Sequence, residues 1–163
     1  YAAFSANLRR EAGAAGRDSR GMFRVHQFNK VEMFAYTVPE ASWDEFERLV
    51  GIEESLVQEL GLPYRVVNIA ARQLSAAAAK RIDIEAWFPS QGRYREITSA
   101  SNTTDYQARR LGIRFRADGG TEFAHTMNGT AVTDRWALAI LENFQGEVPE
   151  PLRVFGAPER VEP

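Results

Sequence analysis

From Tyr64 onward, strand-type runs follow one another with turns between them and helices inserted only occasionally. Tyr64-Arg65-Val66-Val67-Asn68-Ile69-Ala70 is one such run. Ile82-Asp83-Ile84-Glu85-Ala86-Trp87-Phe88 and Arg93 to Ser101 form a second and third, joined by the turn Pro89-Ser90-Gln91-Gly92. Ile113-Arg114-Phe115-Arg116 and Glu122 to Met127 flank Asp118-Gly119-Gly120, a hairpin signal. Regular strand–helix–strand alternation, the mark of a parallel doubly wound sheet, is absent. The pattern predicts an α+β fold built on an antiparallel sheet with flanking helices.

Two amphipathic stretches supply the helices. Trp43, Phe46, Leu49, Val50, Ile52, Leu56, Val57 and Leu60 recur at helical spacing, and Gly51 is a point where that helix could divide. Ser42 with Glu45 three residues on has the spacing of a capping box. Asn128-Gly129-Thr130 reads as the end of a strand, with a second long helix over Ala131 to Phe144, and Asp105 to Leu111 reads as a short one. The division expected is a catalytic-type core over residues 1–146 and an irregular tail over 147–163, which holds four of the seven prolines.

The chain has 163 residues, 44% hydrophobic and 26% charged, enough for one domain with a real core. A net charge of -2 gives no global attraction for nucleic acid, so any polyanion must be met locally. The cations are 18 arginines and only two lysines, Lys30 and Lys80. With no cysteine and two histidines, His26 and His125, a structural zinc site is not expected. No apolar run approaches a membrane span and no targeting segment is recognisable, so a cytoplasmic location is expected.

Chemistry concentrates between Leu8 and Glu32, two strand-type runs (residues 3–11 and 22–37) around a loop that carries Gly13, Gly16, Gly21 and several arginines. Arginine forks suit phosphate, and an acid with an aromatic suits a purine base. A Gly-x-x-x-x-Gly-Lys loop is absent, so the phosphates would not be held by a P-loop. Read without further context, the same residues describe a solvated hairpin: Arg9 and Glu11 a cross-strand ion pair, Phe28 a packed aromatic, Arg135 a surface charge. His26 and His125 read as hydrogen-bonded structural residues.

Longer blocks decide between these readings. Arg9-Arg10-Glu11-Ala12-Gly13, Phe23-Arg24-Val25-His26-Gln27-Phe28 and Lys30-Val31-Glu32 resemble motif 2 of the class II seryl-tRNA synthetases. The resemblance continues through Asp83-Ile84-Glu85-Ala86-Trp87, Gln91-Gly92-Arg93-Tyr94-Arg95-Glu96, and Thr98-Ser99 to Asn102. Asn128-Gly129-Thr130-Ala131-Val132, then Arg135 with Ala139-Ile140-Leu141-Glu142-Asn143, is similar to motif 3. The coiled-coil arm and motif 1 of that family have no counterpart in these residues. Exposed apolar surface is therefore expected, and with it a homodimer or other association.

The resemblance implies activation of serine with ATP and Mg²⁺ to seryl-adenylate, and transfer to the acceptor end of a serine tRNA, weakened without the arm. The alternative is an ATP-binding segment with little turnover. By the same resemblance, Arg9 would meet the α-phosphate, Glu11 the adenine amino group and Phe28 the adenine face, while Arg135 would cover the other face and reach the γ-phosphate. Phe23 would belong to the nucleotide site. Glu96 and Ser99 would ligate Mg²⁺ and ATP, and Glu32, Asn128 and Thr130 would form the serine pocket.

Overall fold

A computed structural model describes residues 1–10 and 22–161. Six strands form one sheet in the order β1 (Ala2–Leu8), β2 (Gln27–Thr37), β8 (His125–Thr133), β5 (Arg93–Asn102), β4 (Lys80–Phe88), β3 (Tyr64–Asn68). Every pairing in it is antiparallel. A short helix, α2 (Tyr106–Leu111), precedes the hairpin of β6 (Arg114–Ala117) and β7 (Gly120–Phe123), which stands apart as a two-stranded sheet. The antiparallel α+β expectation therefore holds.

Two helices cover one face of the large sheet. Helix α1 (Ser42–Glu59) sets Phe46, Leu49 and Val50 against Met33, Ala35, Ile82, Ala100 and Met127. Its last turns and helix α3 (Asp134–Phe144) close a second cluster, in which Val57, Trp136 and Ala139 meet Ile84, Ala86, Phe88 and Ile97. Period-two alternation sorts β4 accordingly: Ile82, Ile84, Ala86 and Phe88 face the helices, and Arg81, Asp83 and Glu85 face the other way. Phe46 and Phe88 are fully buried, each contributing about 1.5–3 kcal/mol of apolar transfer.

Several local expectations are corrected. Gly51 does not divide α1, which runs unbroken because apolar contacts on both sides of the glycine hold it. Ser42 is not an N-cap. A 3₁₀ turn over Pro39–Ala41 already leads into the helix, and Ser42 is fully buried, its carbonyl accepting from Asn102 Nδ2 and its hydroxyl 3.0 Å from His125 Nδ1. Residues 22–26 are turn and coil, so β2 begins only at Gln27. The strand expected to end at Asn128–Thr130 continues to Thr133, because pairing with β2 runs on through Val132 and Thr133 after the β5 ladder stops at Gly129, and both residues are β-branched. The tail is less irregular than expected: it holds a one-turn helix, α4 (Glu150–Arg153), and a bridge between Glu147 and Arg160.

Two bulges interrupt the ladders of the large sheet. Opposite Val31/Glu32 the extra residue on β8 is Ala131, and opposite Ile84/Glu85 the extra residue on β5 is Ile97. Each re-aims the strand beside it. Among the described residues no helix is long and apolar enough to cross a membrane. Phe4, Leu8 and Phe155 are largely exposed, at 72%, 79% and 87%.

Candidate active site

A cleft of about 300 Å³ opens between the segment Met22–Val25, the strands β2, β5 and β8, and the first turn of α3. Its upper wall starts where β1 ends. The Arg9 amide donates to the His26 carbonyl at 2.9 Å, and His26 Nδ1 lies 3.3 Å from the Arg9 carbonyl. This double contact closes the mouth of the β1–β2 hairpin, and His26 is structural as expected. It also fixes Arg9 opposite Phe28, with the guanidinium carbon 4.6 Å from the ring centroid.

The opposite wall is also arginine on aromatic. Arg135 and Arg95 place their guanidinium carbons 4.4 and 3.8 Å from the centroid of Phe23, a buried ring that stands edge-on to Phe88. Arg135 is held by the backbone: Nε donates to the Phe23 carbonyl at 3.3 Å and Nη1 to the Glu96 carbonyl at 3.0 Å. Burial presses its pKa below the ordinary value; Glu96 opposes this, while Arg9, Arg95 and Arg24 reinforce it. Arg9, Arg24, Arg81 and Arg135 thus line one concavity, with Arg95 beside it on Phe23. Such a site favours an incoming anion, since bound phosphate relieves the repulsion among them.

The floor carries the oxygen donors. Arg81 Nη2 binds Glu96 Oε1 at 2.8 Å and its Nε binds Asp83 Oδ1 at 2.5 Å, while Glu96 Oε2 lies 3.5 Å from Arg135 Nη1. Burial raises the Asp83 pKa against the pull of Arg81. Ser99 pairs across the ladder with Asp83 and lines the cleft with Glu96. Among the described residues no group of three or more acidic or histidine side chains could enclose a metal by itself. One carboxylate and one hydroxyl nevertheless fit Mg²⁺, which is commonly held by one or two protein oxygens, water and substrate phosphates.

Beside the cleft stands a polar clamp. Glu32 accepts from Asn128 Nδ2 at 2.8 Å through one oxygen; through the other it accepts from Thr130 Oγ1 at 3.0 Å and meets Lys30 Nζ at 2.5 Å. The Thr98 hydroxyl donates to the Thr130 carbonyl. The bulge at Ala131 brings Thr130 opposite Glu32, so the clamp is a consequence of strand register.

Arg9, Phe23, Phe28, Glu96, Ser99, Thr130 and Arg135 therefore share one cleft, and Glu32 and Asn128 join it through Thr130 and Lys30. Glu11 lies outside the described residues. The sequence reading missed Arg24, Arg81 and Arg95 as site residues. The signal for Arg95 was present in Tyr94-Arg95-Glu96, where the bulge that sets Arg95 beside Phe23 cannot be read from alternation.

The family is shown directly. Residues 1–144 match the model of the class II tRNA synthetase core domain (G, H, P, S and T), and the chain belongs to that family. Within it, the chain is 57% identical over 145 residues to a serine–tRNA ligase of Thermoplasma volcanium, covering 88% of this chain and 33% of the relative. Its backbone is similar to the crystal structure of seryl-tRNA synthetase from Pyrococcus horikoshii complexed with ATP, with a TM-score of 0.92, 48% identity, and coverage of 99% of this chain and 39% of that one. A cytoplasmic serine–tRNA ligase from Naegleria fowleri in complex with AMP superposes with a TM-score of 0.91 at 43% identity, covering 99% of this chain and 40% of that one. The chain spans about a third of the length of the curated relatives it matches.

Proposed function

We propose that the cleft binds ATP and activates serine as seryl-adenylate. The observation that carries this reading is a cleft lined by Arg9, Arg24 and Arg135, with Arg9 over Phe28 and both Arg95 and Arg135 over Phe23, and the Glu32 clamp next door. Phe28 offers a face for the purine, Arg9 a fork for the reacting α-phosphate, and Arg135 a fork for the phosphates beyond it. Glu32, flanked by Asn128 and Thr130, supplies the negative charge and hydrogen-bond partners that a serine ammonium and hydroxyl need.

The reaction needs no general base, because the serine carboxylate is already ionised. One carboxylate oxygen attacks the α-phosphorus while the bond to the bridging oxygen breaks and pyrophosphate leaves with the electron pair. The protein's contribution is alignment and charge: Arg9 faces the phosphorus as negative charge builds in the transition state. Glu96 and Ser99 would hold Mg²⁺, which would offset charge on the triphosphate. Transfer of serine to the 3′ end of a tRNA completes this reading, and self-association through the exposed apolar residues Phe4, Leu8 and Phe155 belongs to it as well.

Serine-dependent exchange of pyrophosphate into ATP is the test. Exchange that requires serine, outpaces alanine and threonine, and disappears in Arg9→Ala supports the proposal. ATP binding without exchange would favour a nucleotide-binding segment with little turnover, a reading that the one-third coverage of the relatives keeps in play.

A further inference from the structure

Glu53 is the one carboxylate of α1 that is fully buried, and both of its oxygens lack a hydrogen-bond partner among the described residues. It lies under β8. A Cβ built on Gly129 would come within 2.8 Å of Glu53 Oε1, so the glycine makes the room that the carboxyl occupies. Gly129 separates Asn128 from Thr130, the two residues whose side chains hold Glu32 on the far side of the strand. We propose that Glu53 is a positioning residue of the serine site, its buried carboxyl seated beneath Gly129 as the support on which the Asn128–Thr130 clamp rests.

The charge around Glu53 agrees with an un-ionised group. Burial raises its pKa to about 9, and Glu32 from β2 and Asp83 from β4 add to the shift. Lys30 and the Thr130 backbone pull the other way without overcoming it. Arg81, whose own interactions include Glu53, is committed to Asp83 and Glu96. Ionisation of Glu53 would therefore set a second negative charge behind Glu32, only partly offset by Lys30 and the Thr130 backbone, and the strand between them would have to move. Below that transition Glu32 keeps its two donors and its place.

This inference rests on the proposed serine site for its functional meaning, but its geometry can be tested without turnover. The test tracks the Asn128 side-chain amide and the Glu32 carboxyl by NMR from pH 6 to pH 10.5, in the wild type and in Glu53→Gln. The expected result is a transition in both signals with a midpoint near 9 in the wild type, absent from the variant. Wild-type signals that show no such transition, or one that persists in Glu53→Gln, would overturn the proposal. If Glu53→Gln does not fold, the wild-type titration with direct detection of the Glu53 carboxyl carbon decides alone. Where exchange is measurable, the KM for serine should rise more steeply above pH 9 in the wild type than in the variant, by about tenfold per unit. Absence of exchange in both proteins would count against the adenylation reading and leave the NMR outcome standing.

Discussion

The guanidinium of Arg9 lies 4.6 Å over the ring of Phe28, across a hairpin mouth closed by reciprocal contacts between Arg9 and His26. The two residues thus sit at one end of the same cleft, with a face for a base and a fork for a phosphate side by side. A cation on an aromatic face is a moderate attraction, about 0.5–2 kcal/mol, small enough for a nucleotide to displace.

Arg9→Ala should reduce serine-dependent exchange by roughly 100- to 1,000-fold, the effect of removing one preorganised donor to transition-state charge. The loss should fall on kcat, with a smaller change in the KM for ATP. Steady-state exchange at varied ATP separates the two.

Arg135→Ala should weaken ATP binding and also lower thermal stability, because its hydrogen bonds tie the Phe23 and Glu96 backbones to α3. Arg135→Lys keeps the charge but cannot span both carbonyls, so it should recover part of the affinity and little of the stability. Titration calorimetry and a melting curve report the two separately.

Glu53→Gln should stabilise the protein at neutral pH. The folded state holds the Glu53 proton to about 9, whereas the unfolded chain releases it near 4.5. Between those values the folded state binds one proton more, so unfolding free energy falls by about 1.4 kcal/mol per pH unit as pH rises. The wild type has this stability in full below the unfolded value and has lost it once pH passes the folded one. Denaturant melts of both proteins at pH 5, 7 and 9 should diverge progressively, with the variant the more stable at pH 9.

Gly129→Ala should destabilise by about 1–3 kcal/mol, since its methyl would meet Glu53 Oε1 at 2.8 Å and Met33 Cε at 3.3 Å. Combining it with Glu53→Ala should restore much of the loss. A double-mutant cycle on denaturant midpoints gives the coupling, and strict additivity would refute the contact.

Much of this molecule was legible in the linear chain, for reasons visible at particular residues. Ile82, Ile84, Ala86 and Phe88 alternate with Asp83, Glu85 and Trp87, and that run was legible as a strand. Phe46, Leu49, Val50 and Val57 made α1 legible in the same way, at helical spacing. The motif blocks led to Arg9, Phe23, Phe28, Glu96, Ser99, Thr130 and Arg135, which do line one cleft. Helix starts were read less well. Ser42 carried a capping pattern that an upstream 3₁₀ turn made redundant, and pairing with β2 carried β8 past Thr130.

By itself, the sequence determined the antiparallel α+β class, the apolar positions of α1 and the family, because hydrophobic period and motif order are local properties of a chain. Tertiary structure alone decided which charges meet. The bulges at Ala131 and Ile97 shift register by one residue, and that shift sets Thr130 against Glu32 and re-aims β5 where Arg95 reaches Phe23. It also decided the fate of Glu53, which in a helix reads as one more solvated acid; only the packing of α1 beneath Gly129 removes it from water and keeps its proton in place.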